Sequence, residues 1–307
     1  MEKALKEYGD LSVIVCDREG QKISGKMRAQ WIKEMVPGAK VKIAPDFLPE
    51  DDSAGWAAYT KWLLHGTPDA VFTSEDYGEP YSKYLGCRHV MVDRERKTIP
   101  ISGTKIRQNP LANWEFLPPP VRARFAKRVC ILGAESTGTT TLAKSLAEHY
   151  KTSWVQEFGR AYSEAKINSP ESSAWRTEEF IFIARTQNKI EDALVKTCNK
   201  ILVCDTNSFA TSLWHERYMG FISPEVEAAS AGRECDLYIL TGDEIPFVQD
   251  GTRDGGRIRH TMHRRFEEEL EKKRKKFIIV RGPHEIRMEK AIGACNSVLK
   301  DNFLTEI

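Results

Sequence analysis

The segment VCILGAESTGTTTLAKSLAEHY, at residues 129–150, constrains the fold of this chain more than any other. An apolar run comes first, a loop bounded by Gly133 and Gly138 follows, and apolar residues then recur at helical spacing. A buried strand that leads through a glycine-bounded turn into a helix is the first step of a parallel βαβ unit. This order predicts an α/β fold with the loop at the edge of a parallel sheet.

The rest of the chain repeats this alternation and predicts two parallel-sheet domains. Strands are expected at residues 11–16, 40–45, 69–74, 89–93, 128–132, 154–157, 200–205, 236–241 and 276–281. A proline triplet at 118–120, followed by basic residues, indicates a joint between the two groups of strands. We therefore expect one domain at residues 1–120 and a second at residues 121–307.

Composition narrows the classes of function. Lys and Arg number 46 against 44 Asp and Glu, so charge gives no reason to expect nucleic acid as a partner. No apolar run approaches the roughly 20 residues that span a bilayer. The N-terminus also lacks an apolar signal segment, so we expect no membrane partner and a cytoplasmic location. The seven cysteines form no C-x-x-C pair, which argues against a zinc site, and homo-oligomer formation is left open.

The loop at residues 133–140 has the spacing of the phosphate-binding motif G-x-x-x-x-G-K-[ST], with threonine in place of lysine. In that motif, backbone N–H groups bind phosphate oxygens, the lysine contacts the β- and γ-phosphates, and the hydroxyl binds Mg²⁺. Both glycines and the hydroxyl of Thr140 are kept, whereas Thr139 lacks the charge of lysine. We expect phosphate binding here; the alternative is a glycine turn that only caps a helix.

Two expected strands of the second domain end in carboxylates. Asp205 ends the strand at 200–205, where P-loop enzymes place the carboxylate that organises Mg²⁺ or takes a proton. The alternative is that Asp205 caps the next helix. Glu157 ends the strand at 154–157 and Arg160 follows it, at the edge where parallel sheets bind ligands. A plain surface ion pair is the alternative for these two residues.

Two further segments have residues that are typical of anion-binding sites. The glycine-rich segment IPFVQDGTRDGGRIRH holds three arginines within seven residues, and they suit a lid that closes over phosphates and supplies the missing lysine charge. The alternative is a solvated polar loop. The residues concerned are Arg253, Arg257 and Arg259, with Asp250 and Asp254 beside them. In the first domain, Ser102, Thr104 and Arg107 stand at a predicted helix start, where they would bind an anion or simply cap the helix.

The segments VFTSEDYGEPYSKYLG, ISGTKIR, GAESTGTTTLA, VQEFGR, VCDTNSFAT and VQDGTRDGGRIRH resemble, in order and spacing, the NadR-type bifunctional family. The likeness runs over nearly the whole chain. That family joins a nicotinamide-nucleotide adenylyltransferase to a ribosylnicotinamide kinase. The resemblance implies an incomplete Rossmann-like nucleotidyltransferase domain followed by a P-loop kinase domain. The kinase would use ATP and Mg²⁺ to phosphorylate the 5′-hydroxyl of nicotinamide riboside, giving nicotinamide mononucleotide.

The resemblance also implies residue roles. Asp205 and Thr140 would bind Mg²⁺, either Asp205 or Glu157 would accept the hydroxyl proton, and Arg253 and Arg259 would act on the transferred phosphoryl group. The segment of Ser102, Thr104 and Arg107 matches the adenylyltransferase phosphate motif I-S-x-T-x-x-R. The ATP phosphates would lie on Gly133, Glu135, Ser136, Thr137, Gly138, Thr139, Thr140 and Thr141.

The riboside would lie against Arg160, Asp250, Trp214 and Tyr218. An aromatic face suits a cationic nicotinamide ring, and Trp214 and Tyr218 stand one helical turn apart. Packing of their helix in the core explains the same spacing.

The chain departs from the family at two places. The family's opening strand and its G-x-F-x-P-x-H-x-G-H segment do not occur in the sequence, so we expect adenylyl transfer from nicotinamide mononucleotide to be impaired or partner-dependent. Despite Thr139, we expect the kinase to work. The alternatives are a full bifunctional enzyme whose missing strand is supplied elsewhere, and a non-catalytic nucleotide sensor or scaffold.

Overall fold

The computed structural model describes residues 1–168, 174–249 and 256–300, which divide into two compact units. Unit 1 spans residues 1–107 and unit 2 begins at residue 108. The division therefore falls before the proline triplet, which lies inside unit 2. Pro119 and Pro120 occupy the first turn of a helix there, where a backbone N–H would have no helical partner.

Unit 1 alternates helices and strands, as its sequence predicts. Its elements are α1 (Glu2–Tyr8), β1 (Ser12–Asp17), α2 (Gly25–Met35), β2 (Lys40–Pro45), α3 (Ser53–Leu64), β3 (Ala70–Thr73), α4 (Gly78–Leu85), β4 (Arg88–Met91) and α5 (Gly103–Gln108). Helix α5 ends at the boundary between the two units. Strand β1 pairs in parallel with β2, and β3 pairs in parallel with β4. The described strands of this unit thus form two separate two-stranded sheets.

Unit 2 is built on one five-stranded parallel sheet in the order β6-β7-β5-β8-β9. Its strands are β5 (Lys127–Leu132), β6 (Trp154–Val155), β7 (Ile201–Asp205), β8 (Leu237–Thr241) and β9 (Phe277–Val280). Its helices are α6 (Pro119–Phe125), α7 (Thr139–Tyr150), α8 (Phe158–Ile167), α9 (Thr177–Leu194), α10 (Ser208–Met219), α11 (Pro224–Ser230), α12 (Arg259–Lys272) and α13 (His284–Lys300). Short 3₁₀ turns lie at Trp114–Phe116 and Gly256–Ile258.

The core of unit 2 explains why its sequence reads as apolar runs. Strands β5, β7 and β8 are almost wholly buried, since helices cover both faces of a parallel sheet. Leu142 and Leu146 of α7 pack on one face beside Ala291 and Val298 of α13. The prediction of an α/β chain with parallel sheets is confirmed, and the central strands give the loops at their ends a rigid support.

The strand order brings three predicted site segments to one edge. The loop at 133–138 follows the central strand β5, Asp205 ends the neighbouring strand β7, and β6 lies beyond β7. Ile131 and Asp205 are direct partners across β5 and β7, which sets Asp205 close to the start of the loop. Glu157 lies outside the sheet, because β6 ends at Val155 and Glu157 is the residue that precedes α8. The predicted strand at 154–157 is thus two residues too long.

No helix among the described residues is long and apolar enough to cross a membrane.

Candidate active site

The loop between β5 and α7 has the backbone of an anion cradle. Gly138 has φ 82° and Ser136 has φ 59°, so the chain turns through the left-handed region twice before α7 begins at Thr139. A side chain at Gly133 would collide with the hydroxyls of Thr137 and Thr241, which explains the glycine. The loop therefore directs backbone N–H groups and a helix N-terminus toward one point, without needing a lysine for its shape.

Asp205 lies directly across from the first turn of α7. Its Oδ2 accepts a hydrogen bond of 2.6 Å from the hydroxyl of Thr140. Its Oδ1 is buried and accepts no hydrogen bond from any described residue. Burial raises the pKa of this carboxyl group, and the bond from Thr140 opposes the rise. The N-cap of α10 is Asn207, which accepts from Ala210 N, so Asp205 is not the cap of the following helix.

Glu157 supplies a second carboxylate to the same site. Burial raises its pKa from the ordinary value of 4.5 to about 8. The negative charge of Asp205 raises the pKa further, whereas the guanidinium of Arg160 opposes the rise. Arg160 also donates to Glu164 on the same helix at 3.0 Å. The pKa of Glu157 therefore lies close to neutral pH, beside the buried carboxyl group of Asp205.

These groups share one cavity of about 340 Å³ in unit 2. Its lining includes both the phosphate loop and four aromatic side chains, those of Trp175, Phe180, Trp214 and Tyr218. Among the predicted site residues, the lining includes Gly133, Glu135, Ser136, Gly138, Thr139, Thr140, Thr141, Glu157, Arg160, Asp205, Trp214 and Tyr218. Thr137 belongs to the loop but turns inward, where its buried hydroxyl donates to Ala134 O at 2.7 Å.

The aromatic end of the cavity is formed by three elements. Tyr218 of α10 lies 5.5 Å from Trp175 and 6.0 Å from Phe180, between ring centroids. Trp214 packs edge-on against Phe266 of α12 at 5.9 Å while also lining the cavity. Trp214 and Tyr218 therefore pack against neighbouring rings, as the core explanation expects, and they also line the cavity.

Two buried arginines contact the loop from behind. Arg259, predicted as a lid residue, donates to Ser136 O at 3.3 Å and to Ile245 O at 2.8 Å. It is not among the described residues that line the cavity. Arg287 donates to Thr137 O at 2.7 Å and forms a 2.7 Å ion pair with Glu244. Both guanidinium groups thus add positive charge close to the loop backbone.

Three predicted residues belong to α5 and the turn before it. Ser102 Oγ accepts from Lys105 N at 3.2 Å, as an N-cap does, and Arg107 donates to Thr104 at 3.2 Å. The capping explanation therefore accounts for Ser102, and the hydroxyl of Thr104 is already engaged. The predicted lid residues Asp250 and Arg253, with Asp254, lie outside the described residues. Arg257 is exposed in the turn before α12.

Several residues of this site are absent from the sequence-based prediction, and Trp175, Gln187 and Arg287 matter most for its chemistry. Trp175 precedes α9 in irregular structure, where the sequence gives no pattern. Gln187 is a polar residue on the buried stripe of α9 that also carries Phe180 and Ile183, and this interruption of an apolar stripe is a signal that could have found it. Arg287 contacts a loop 150 residues away, for which local sequence holds no signal.

The residues present fit Mg²⁺ and a nucleoside triphosphate. Mg²⁺ takes oxygen ligands and binds through one or two carboxylates together with substrate phosphates. Asp205 Oδ1 is an orphaned buried oxygen beside the hydroxyl of Thr140, next to the cradle. The described residues contain no cluster of three or more His, Cys, Asp or Glu that could hold a metal by themselves.

Comparisons with known proteins agree with this geometry. Residues 128–287 match the family described as an AAA domain. The trifunctional NAD biosynthesis/regulator protein NadR of Escherichia coli is 36% identical over 190 residues, which cover 62% of this chain and 46% of that protein. The chain thus spans about half the length of this relative. The corresponding protein of Salmonella typhimurium matches to the same extent.

Solved structures extend the comparison to the fold. A NadR protein in complex with NR has a TM-score of 0.77 at 20% identity, covering 97% of this chain and 91% of that one. A NadR protein in complex with NAD and AMP-PNP has a TM-score of 0.74 at 20% identity, covering 97% and 90%. These matches show a shared α/β fold, and with the relatives in sequence they confirm the resemblance inferred from the motifs. The chain therefore belongs to the AAA domain family, and it is a homologue of the NadR proteins.

Proposed function

We propose that unit 2 transfers the γ-phosphoryl group of ATP to the 5′-hydroxyl of nicotinamide riboside. The names of the curated relatives refer to NAD biosynthesis, and the two solved NadR structures hold NR, which we take as nicotinamide riboside, and the ATP analogue AMP-PNP. The loop would hold the phosphates, and Thr140 and Asp205 would hold Mg²⁺. That ion would neutralise charge on the triphosphate.

The observation that carries this proposal is the composition of this cavity in unit 2. It joins the phosphate loop, two carboxyl groups and an aromatic wall within one space. A riboside with its cationic ring against Trp175 and Tyr218 would direct its 5′-hydroxyl toward the carboxylates and the loop. The lining of the cavity thus offers groups suited to the phosphates of ATP and to the hydroxyl and the ring of the riboside.

In this proposal, Glu157 is the group that accepts the proton of the riboside 5′-hydroxyl. Asp205 already accepts from Thr140 and offers its free oxygen to a metal, whereas Glu157 has a pKa raised to about 8, close to the working pH of a cell. The hydroxyl oxygen would attack the γ-phosphorus in line with the bond to ADP, and Glu157 would accept the hydroxyl proton. ADP and nicotinamide mononucleotide would be the products.

With threonine at position 139, the loop lacks the positive charge of the motif's lysine, and other groups can supply that charge. Arg259 and Arg287 contact the carbonyls of Ser136 and Thr137, and the loop N–H groups do not depend on the side chain at 139. We therefore propose that these arginines, with the N-terminus of α7, stabilise the phosphates in place of the lysine.

The test is to incubate the protein with Mg-ATP and nicotinamide riboside and to measure nicotinamide mononucleotide by chromatography. We expect turnover, and we expect Asp205→Asn to lower kcat at least about 100-fold, as removal of a group that stabilises transition-state charge does. Thr139→Lys should change kcat/KM by less than about tenfold, because a tenfold change would require 1.4 kcal/mol that the arginines already supply.

The matched control is Glu285→Gln, which removes an exposed carboxylate of α13 that is not among the described cavity residues. It should leave the rate unchanged. No product above the blank with the wild-type protein would contradict the proposed function. A large gain from Thr139→Lys would show instead that the native loop is short of charge.

A further inference from the structure

The side-chain amide of Gln187 is a buried polar group, and only its oxygen has a hydrogen-bond partner among the described residues. Gln187 lies on α9, is 1% exposed and lines the cavity. Its Oε1 accepts a hydrogen bond of 2.9 Å from the backbone N–H of Phe158. Its Nε2 is buried and has no hydrogen-bond partner among the residues that the structure describes. Buried amide groups are nearly always paired, so an orphan donor in a cavity wall points to a ligand atom.

The bond from Phe158 also fixes which way the amide faces. A backbone N–H needs an acceptor, so the carbonyl oxygen of Gln187 must face Phe158. The nitrogen is then the atom left over, and it can only donate. The partner that it lacks must therefore be an acceptor such as a hydroxyl or carbonyl oxygen of the ligand.

The place of Gln187 along the cavity selects between those two acceptors. Phe180, which belongs to the aromatic wall, and Gln187 are seven residues apart on α9, about 10 Å along a helix. The amide is anchored to Phe158, the neighbour of Glu157, so it lies toward the carboxylates. In the proposed complex, a ring at the aromatic wall would hold its carboxamide away from this amide. The sugar would lie between that wall and the phosphate loop.

We propose that Gln187 is a specificity-determining residue of the acceptor site, whose amide N–H donates to the 2′- or 3′-hydroxyl of the substrate's ribose. This inference rests on the proposed function and adds to it a chemical preference for ribosides over deoxyribosides. A deoxy acceptor would leave the buried donor unpaired, which is the costly outcome for a buried polar group.

The test compares nicotinamide riboside with its 2′-deoxy and 3′-deoxy analogues, by kcat/KM and by calorimetric Kd. The wild-type protein should prefer the riboside over at least one analogue by about 10- to 100-fold, the range expected for leaving a buried donor unpaired. Gln187→Met, which has similar volume and no donor, should reduce that preference to less than about threefold. Loss of the bond to Phe158 would slow all acceptors alike and leave their ratio unchanged.

Thr211→Val is the matched control. Thr211 lines the same cavity, but its hydroxyl already donates to Asn207 O, so its removal should leave the ratio of riboside to deoxy analogues as in the wild type. A wild-type protein that does not discriminate, or a Gln187→Met protein that keeps the full preference, overturns the inference. The first result needs no variant to fold.

Nicotinic acid riboside is a further test substrate, because it alters the ring substituent and keeps the sugar. If Gln187→Met changes the choice between the two ring substituents and leaves the sugar preference intact, the amide contacts the ring and the inference is wrong. A protein that phosphorylates the riboside but keeps its sugar preference in Gln187→Met overturns this inference alone. A protein that neither binds nor phosphorylates the riboside overturns the proposed function as well.

Discussion

At the scale of single residues, Glu157 and Asp205 are two carboxyl groups of one cavity with different surroundings. Asp205 is held by Thr140, and the negative charge of Asp205 contributes to the raised pKa of Glu157. Burial raises the pKa of both groups, but the hydroxyl of Thr140 favours the charged form of Asp205, whereas the charge of Asp205 disfavours that of Glu157. Under the proposed function, the pair would offer a metal ligand and a proton acceptor.

The raised pKa of Glu157 predicts the pH dependence of turnover. A proton acceptor works only when deprotonated, so kcat/KM for the riboside should rise as pH increases and level off above a pKa of about 8. Glu157→Gln should lower kcat/KM about 100-fold or more and abolish that rise. The measurement is a pH profile from 6 to 9.5 at limiting riboside. A wild-type profile that is flat across this range would rule Glu157 out as the acceptor.

The same ionisation affects stability with a defined sign, which provides the control without substrate. The folded-state pKa lies above the unfolded value, so the protonated group favours the folded state at low pH, and that contribution is lost as pH rises from about 4.5 to about 8. Glu157→Gln cannot ionise. Its free energy of unfolding relative to the wild type should therefore increase across this window, by up to about 1.4 kcal/mol per pH unit. Urea denaturation at several pH values checks this, and a difference independent of pH would contradict it.

At the scale of elements, the loops at the carboxyl ends of three strands are held together by one side chain. Arg287 of α13 donates to Thr137 O after β5, to Gly242 O after β8 and to Gly282 O after β9. Glu244 accepts from the same guanidinium and from the N–H of Gly282. The phosphate loop is therefore fixed from behind by a group that belongs to the last described helix.

Replacing this arginine should destabilise unit 2 as a whole. Arg287→Met would leave three carbonyl groups and Glu244 without their shared donor, and we expect a loss of about 3 kcal/mol in the free energy of unfolding. Arg281→Met is the control, because Arg281 is half exposed and its ion pairs with Asp243 and Glu244 span 3.7–3.8 Å. It should cost less than about 1 kcal/mol. Equal losses in urea denaturation would show that burial of Arg287 carries no special weight.

How accurately the sequence predicts a strand depends on the length and the burial of that strand. Buried parallel strands such as β7 are continuous apolar runs, and their ends could be predicted within one or two residues. The edge strand β6 is only two residues long, so pattern alone placed Glu157 on it and was wrong. Arg287 and the orientation of Gln187 depend on contacts between distant segments, which spacing in the sequence does not encode.

At the scale of the whole molecule, the two units have separate cores. Unit 2 has a five-stranded sheet with many fully buried side chains, whereas the described strands of unit 1 form two short sheets in which few residues are fully buried. Stability follows the apolar area removed from water, so unit 1 should unfold first. Hydrogen exchange followed by mass spectrometry during urea denaturation should therefore show two transitions, assigned by peptide.

Mg-ATP provides the control for that experiment. A ligand raises the stability only of the unit that binds it, by about 2.7 kcal/mol at 100 times its Kd. We expect the transition of residues 108–300 to shift and that of residues 1–107 to stay where it is. A single transition, or an equal shift of both, would contradict the assignment of the nucleotide to unit 2.

The carboxyl groups around the cavity of unit 2 have a consequence for product release under the proposed function. Glu135, Glu157 and Asp205 line the space that the riboside would occupy. Nicotinamide riboside carries one positive charge, so the ionised groups among these three attract it. Phosphorylation adds a charge of about −1.5 to −2, and the same groups then repel the end of the molecule that lies closest to them. Once the metal and ADP have left, the site would distinguish substrate from product by the sign of its charge.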